Sequence, residues 1–124
     1  MIDANDTAGP QTEARLWLAQ RLSAMVLAIC IIVHLATIVI AVQGGLSAAE
    51  IIGRVGGSAG WFAFYLVFVA AVVVHAPIGL RAVLSEMTKL ARPRVDLLCF
   101  IAAVFIAYLG FRVAWGFYKL GGAL

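Results

Sequence analysis

Three long apolar runs, separated by two polar stretches, set the plan of the chain. The first runs from about residue 16 to 42, the second from 61 to 84 and the third from 96 to 118. Each meets the roughly 20 apolar residues that a helix needs to cross a bilayer, so the pattern predicts an all-α membrane protein with three transmembrane helices. Before the first run, residues 1–14 are polar and hold Gly9-Pro10, which reads as an extended N-terminal arm ahead of a membrane domain at 15–124. No positive segment precedes the first apolar run, so a cleaved signal peptide is not expected. Between the first two runs, Gln43 to Gly60 is rich in glycine and carries Ser47, Glu50 and Arg54, a loop with room for one short interfacial helix. Ser85 to Val95 carries Glu86, Lys89, Arg92, Pro93 and Arg94 and reads as a short charged connection.

The polar positions inside the runs carry more information than the apolar ones. At 100° per residue, Gln20, Ser23, Leu27, Cys30, His34 and Thr37 fall on one face of the first helix. A lipid-facing helix has no reason to gather its polar residues, so this stripe is expected to face a helix bundle. In the second run His75 has Ala71 and Gly79 one turn to either side, with Ala82 and Glu86 continuing the face. The small neighbours leave a notch in which a flat macrocycle would bring iron to the ring nitrogen. Pro77 removes a backbone hydrogen bond beside it. Arg81, about 9 Å further along the helix, is placed to meet an anionic group of such a macrocycle or to act as a topology determinant. Ala103, Ala107, Gly110 and Ala114 give the third helix a small-residue ridge for close packing. Arg112, in the outer part of that run, reads as a snorkelling side chain.

Composition and charge narrow the class. The chain is 124 residues long, enough for one domain, and 65% hydrophobic with 12% charged residues. Its mean hydropathy of +1.07 lies outside the balance of soluble domains. The net charge of +3 is small and the basic residues sit at the ends of the runs, which excludes nucleic acid as a partner. Arg15, Arg21, Arg81, Lys89, Arg92 and Arg94 share one side of the membrane, against Arg54, Arg112 and Lys119 towards the other. The imbalance puts the N-terminus in the cytoplasm and the C-terminus outside. Trp17, Trp61, Trp115 and Tyr118 lie near span ends, as interfacial anchors do. Cys30 and Cys99 form no C-x-x-C pair and read as inert buried thiols.

The chain has two histidines, and both lie at membrane depth. His34 reads either as a hydrogen-bonded packing residue or as a metal ligand; for His75 the notch and arginine favour ligation. Measured from Arg21 and Arg81 at the interface, His34 is about 20 Å deep and His75 about 9 Å. Helices without kinks leave them roughly 10 Å apart along the membrane normal, too far for one iron. Two stacked macrocycles fit better, each with its second ligand from another chain.

Gln20-Arg21-Leu22-Ser23-Ala24 at the start of the first span, His75-x-x-x-Gly79-x-Arg81 in the second and a charged turn before the third resemble the membrane-anchor cytochrome b subunits of succinate dehydrogenase and fumarate reductase. The resemblance covers nearly the whole chain. It implies haem b, one or two per anchor pair, with His75 as an axial ligand and His34 as ligand of a second, more distant haem. It further implies a haem propionate near Arg81, a quinone site using Arg21 with Ser23, and a proton path for which Glu86 is a candidate. FAD and iron–sulfur clusters would reside only in partner subunits, a flavoprotein and an iron–sulfur protein of the respiratory chain and tricarboxylic acid cycle. The chain itself would hold no catalytic residue for dicarboxylate chemistry. A second three-helix anchor, a different chain or another copy of this one, would complete the assembly in the inner (cytoplasmic) membrane. Trp17 stands where the family has a serine, and Glu86-Met87 where it has aspartate and tyrosine, so a quinone-holding tyrosine would have to come from a partner. A haem-free structural or transport protein, or a b-type anchor of a different quinone-linked dehydrogenase, are the competing readings.

Overall fold

A computed structural model describes residues 9–123 of the chain. They form four helices: α1 (Pro10–Gln43), α2 (Ala48–Val55), α3 (Ala59–Met87) and α4 (Arg92–Ala123). Three of these, α1, α3 and α4, are long and apolar enough to span a membrane, in agreement with the pattern of the runs.

Each long helix extends beyond its apolar run, and the ends explain why. Pro10 occupies the first turn of α1, where a missing N–H costs nothing, and Glu13 in the same turn faces the positive end of the helix dipole. The last residues expected in the arm, from Pro10 to Ala14, are therefore helical; residues 1–8 lie outside the described residues. At 34 residues α1 is about 50 Å long, well beyond the roughly 30 Å of a hydrocarbon core, so its charged first turns stand clear of lipid. Ser58 caps α3 by accepting the Trp61 N–H at 3.3 Å. The charged connection shrinks to the few residues between Met87 and Arg92.

The helices are arranged side by side with α3 in the middle. α1 packs on one flank of α3 and α4 on the other, while α1 and α4 barely meet. Both neighbours run antiparallel to α3: His34 of α1 lies beside Tyr65 and Gln20 beside Gly79, and Asp96 of α4 lies beside Arg81 and Gly110 beside Val69. On α1 the buried residues are Ser23, Leu27 and Cys30, the middle of the polar stripe. On α4 the buried residues are Val95, Cys99 and Ala114. A methyl added at Gly110 would stand 2.6 Å from a Val69 methyl, so only glycine allows α3 and α4 to approach this closely. Apart from these seams the helices present large apolar side chains outward, as lipid or a second protein requires.

The short α2 closes the end of the bundle opposite the chain's start. A capping box fixes its beginning: Glu50 N–H donates to Ser47 Oγ at 3.3 Å, and Ser47 N–H donates to Glu50 Oε2 at 2.6 Å. Those bonds from Ser47 hold the Glu50 carboxyl below the ordinary carboxylate range. Gly45 and Gly57, at φ of 62° and 73°, supply the left-handed turns on either side. α2 docks on the last turns of α4, where Gly57 N–H donates to Tyr118 O at 3.1 Å. Gly56 and Gly121 meet backbone to backbone there, with no space for a side chain on either.

Candidate functional site

The two histidines occupy different levels of the bundle and different surroundings. His34 is half-buried, with Nδ1 3.1 Å from the Tyr65 hydroxyl across the α1–α3 seam. Its ring stands edge-on to Tyr65 and Phe68, each at 5.7 Å between centroids and 89°. Thr37, one turn on, donates its hydroxyl to the His34 carbonyl at 2.6 Å. His34 lines a cavity of about 830 Å³ to which all four helices contribute, with Trp61, Phe68, Phe105, Phe117 and Arg54 of α2 among its walls. An apolar, ring-lined space of that size matches a large flat ligand.

His75 lies elsewhere. On α3 it is seven residues beyond Phe68 and ten beyond Tyr65, about 10–15 Å from the level of His34. No single iron could take both side chains of one chain, as the depth estimate from sequence indicates. His75 is half-buried, and its Nδ1 is fully buried with no hydrogen-bond partner. Such an atom typically costs about 1–3 kcal/mol, which fits a histidine whose bonding is completed by something other than this chain. Among the described residues no three His, Cys, Asp or Glu side chains converge.

Close to the charged end a second cavity, about 430 Å³, opens between α1 and α3. Glu13, Trp17, Gln20, Arg21, Ile78 and Arg81 contribute to its walls. Gln20 Oε1 is buried there without a partner, and Gln20 Nε2 packs over Gly79, 3.5 Å from where a methyl would stand. The glycine half of the notch beside His75 is thus filled by glutamine. Arg21 is exposed, its guanidinium 5.1 Å from the centre of the Trp17 ring. Ser23 is buried next to the cavity and not in its wall; its hydroxyl donates to the Gln20 carbonyl at 3.1 Å. Arg81 bridges helices, with Glu13 of α1 at 3.4 Å and Asp96 of α4 at 3.5 Å, and Arg92 adds a contact to Asp96 at 3.7 Å. Glu86 is exposed at the end of α3. Arg112 donates to its own helix neighbour Tyr108 at 2.8 Å and stays outside the large cavity.

The family model described as succinate dehydrogenase/fumarate reductase transmembrane subunit matches residues 5–111. The chain belongs to this family. The match takes in both histidines, the smaller cavity, most of the larger one's walls and the first two spanning helices entire. No curated protein and no solved structure matches the chain. A transmembrane anchor subunit of the succinate dehydrogenase/fumarate reductase type is multi-pass, as the three spanning helices require. Family membership implies association with a flavoprotein and an iron–sulfur subunit.

Sequence reading alone missed Tyr65, Gln20 and Arg54 as cavity residues, and both carboxylates that hold Arg81. The signals for the first two were present. Tyr65 is a polar-tipped residue one turn into an apolar run, and Gln20 stands on the stripe directly before Arg21.

Proposed function

We propose that this anchor is the cytochrome b component that passes electrons between a flavoprotein/iron–sulfur dehydrogenase and quinone, in the inner (cytoplasmic) membrane. The carrying observation is the buried, unpartnered Nδ1 of His75 within a spanning helix. An imidazole at that depth is retained only where it bonds to a metal, a proton path or a partner group. His75 would hold one haem b and His34 a second. Haem supplies one-electron transfer when bound. The residues of this chain supply the rest, namely axial nitrogens, exclusion of water by the aromatic walls, and positive charge at the rims.

Arg81, already shared between Glu13 and Asp96, adds positive charge at the haem's edge and is the candidate for a propionate. The smaller cavity suits a quinone head, a planar ring whose two carbonyl oxygens need donors. Arg21 and the Gln20 amide are the donors at its wall, with Ser23 acting behind them through the Gln20 carbonyl. Glu86, at the exposed end of the same helix, is the candidate to deliver protons to a reduced quinone.

A second protein ligand for each haem would come from a second three-helix anchor, either another copy of this chain or a different one. The side-by-side arrangement supports that, because α1 and α4 barely meet and all three spanning helices turn large apolar side chains outward. Reduced-minus-oxidised spectra of the purified complex test the proposal. Two b-type signals are expected, one lost in His75→Ala and the other in His34→Ala. A wild-type complex without b-type bands would overturn it.

A further inference from the structure

We propose, on the reading of the large cavity as a haem site, that Arg54 of α2 holds the carboxylates of the haem at His34. This haem's acidic edge then faces the end of the bundle opposite the chain's start. Arg54 and His34 are walls of one cavity. Of the side chains that line it, Arg54 alone carries a full charge, and most of the others are aliphatic or aromatic. Such a space suits a ligand that is apolar over most of its surface and anionic at one edge. Haem, with both carboxylates on one side of the ring, has that distribution. The guanidinium is uncommitted. Among the described residues the ion pairs involve Arg81 and Arg92. Glu50, one turn before Arg54 on α2, is engaged with Ser47 in the capping box.

The short helix is a firm mount for this charge. Ile51 and Val55 line the cavity on either side of Arg54. The capping box fixes the start of α2, and the Gly57 N–H, just past its end, donates to Tyr118 O at 3.1 Å. Tyr65, which meets His34, stands six residues into α3 from Ala59, about 9 Å along the axis. α2 lies beyond that start, against the last turns of α4, so Arg54 is on the far side of His34 from His75. Arg112 is not an alternative, since it donates to Tyr108 and is no part of the cavity wall. Arg81 stands beyond His75 at the opposite end of the bundle, between Glu13 and Asp96. The two haems therefore turn their acidic edges to opposite faces of the membrane and their apolar edges towards each other. Each has an arginine of its own.

Two measurements test this. In redox titrations of the assembled complex, Arg54→Gln is expected to lower the midpoint potential of the signal lost in His34→Ala, because a neighbouring positive charge no longer favours reduction. The signal lost in His75→Ala should stay in place, and Arg54→Lys should keep most of the potential. Arg112→Gln removes an outer charge that does not line the cavity and should shift neither signal. An unshifted His34 signal in Arg54→Gln, or an equal shift in Arg112→Gln, overturns the proposal. The second measurement needs no iron. Metal-free protoporphyrin and its dimethyl ester are offered to the complex prepared without haem in phosphatidylcholine vesicles. Binding is read as quenching of Trp61, a wall of the cavity, with Trp61→Phe as the blank. His34 can ligate neither compound, so the two differ only in their carboxylates. Wild type is expected to bind the free acid several-fold more tightly than the ester, and Arg54→Gln to bind both alike. Equal binding of acid and ester by wild type refutes the proposal. Preference for the acid without any b-type signal depending on His34 upholds the role of Arg54 and overturns the reading of His34 as a ligand.

Discussion

His34 and His75 are the same residue type in the same kind of surroundings, two apolar helices of one bundle, and the chain treats them in opposite ways. His34 has its polar atom paired, its ring held between two aromatic edges and a large cavity beside it. His75 has a buried nitrogen without a partner, with charged groups a few residues away. The two ends of the bundle differ in the same sense. Around His34 the helices are held by close approach of small residues, Gly110 against Val69 and Gly56 against Gly121. Beyond His75 they are held by Arg81, shared between carboxylates on both neighbours. A histidine that is complete within its own chain can keep its geometry before any partner arrives. One that is incomplete depends on assembly for it.

Replacing each histidine tests this contrast with the largest expected effect. His75→Ala and His34→Ala should each remove one b-type signal and leave the other, read by difference spectroscopy. Loss of both in either variant would mean that the ends are not independent. A smaller effect is expected from Gly110→Leu. The side chain has to displace Val69, and overpacking of this kind costs about 1–3 kcal/mol. Thermal unfolding of the detergent-solubilised complex should show the loss. The His34 signal should move while the His75 signal does not, because Gly110 lines the His34 cavity.

Arg81→Ala should do the reverse. Its carboxylate partners are half exposed, so each pair is worth only about 0–1 kcal/mol and the stability change is expected to be slight. The midpoint potential of the His75 signal should fall as a positive charge is removed, with His34 unaffected. The weakest effect is expected at α2. The Glu50 carboxyl is held below its ordinary range by Ser47, so the ionised form supports the capping box. A group with a lowered folded-state value stabilises fully above the ordinary carboxylate pKa and loses that contribution as pH falls through the lowered one. Amide exchange of α2, taken relative to the intrinsic rate at each pH, should therefore speed up at acid pH, and Glu50→Gln should remove that pH dependence.

How legible these features were in the sequence depends on whether they lie within one helix or between two. The spans, the buried stripe on α1 and the separation of the histidines follow from a rise of 1.5 Å and a turn of 100° per residue. Ser23, Leu27 and Cys30 are buried as that arithmetic requires. Pairing between helices needs a register, and one helix's periodicity contains none. Nothing local says that His34 meets Tyr65, that Gln20 fills the space over Gly79, or that Glu13 reaches Arg81 across 68 positions. The arm failed as an extended segment from Pro10 onward because a polar composition does not by itself oppose a helix, and proline there begins one.

The hydroxyls of α1 have a consequence for how the protein enters the membrane. Ser23 and Thr37 each bond a carbonyl of their own helix, three residues back. During synthesis α1 leaves the ribosome well before α3, and its packing partner is not yet made. A helix whose hydroxyls depended on a neighbour would sit in lipid with unmet donors during that interval. α1 carries its own acceptors for both, leaving only Gln20 and His34 to wait, one near the water and the other at depth. Insertion can therefore precede docking, and α3, once threaded, meets His34 with the Tyr65 hydroxyl before α4 closes the other flank.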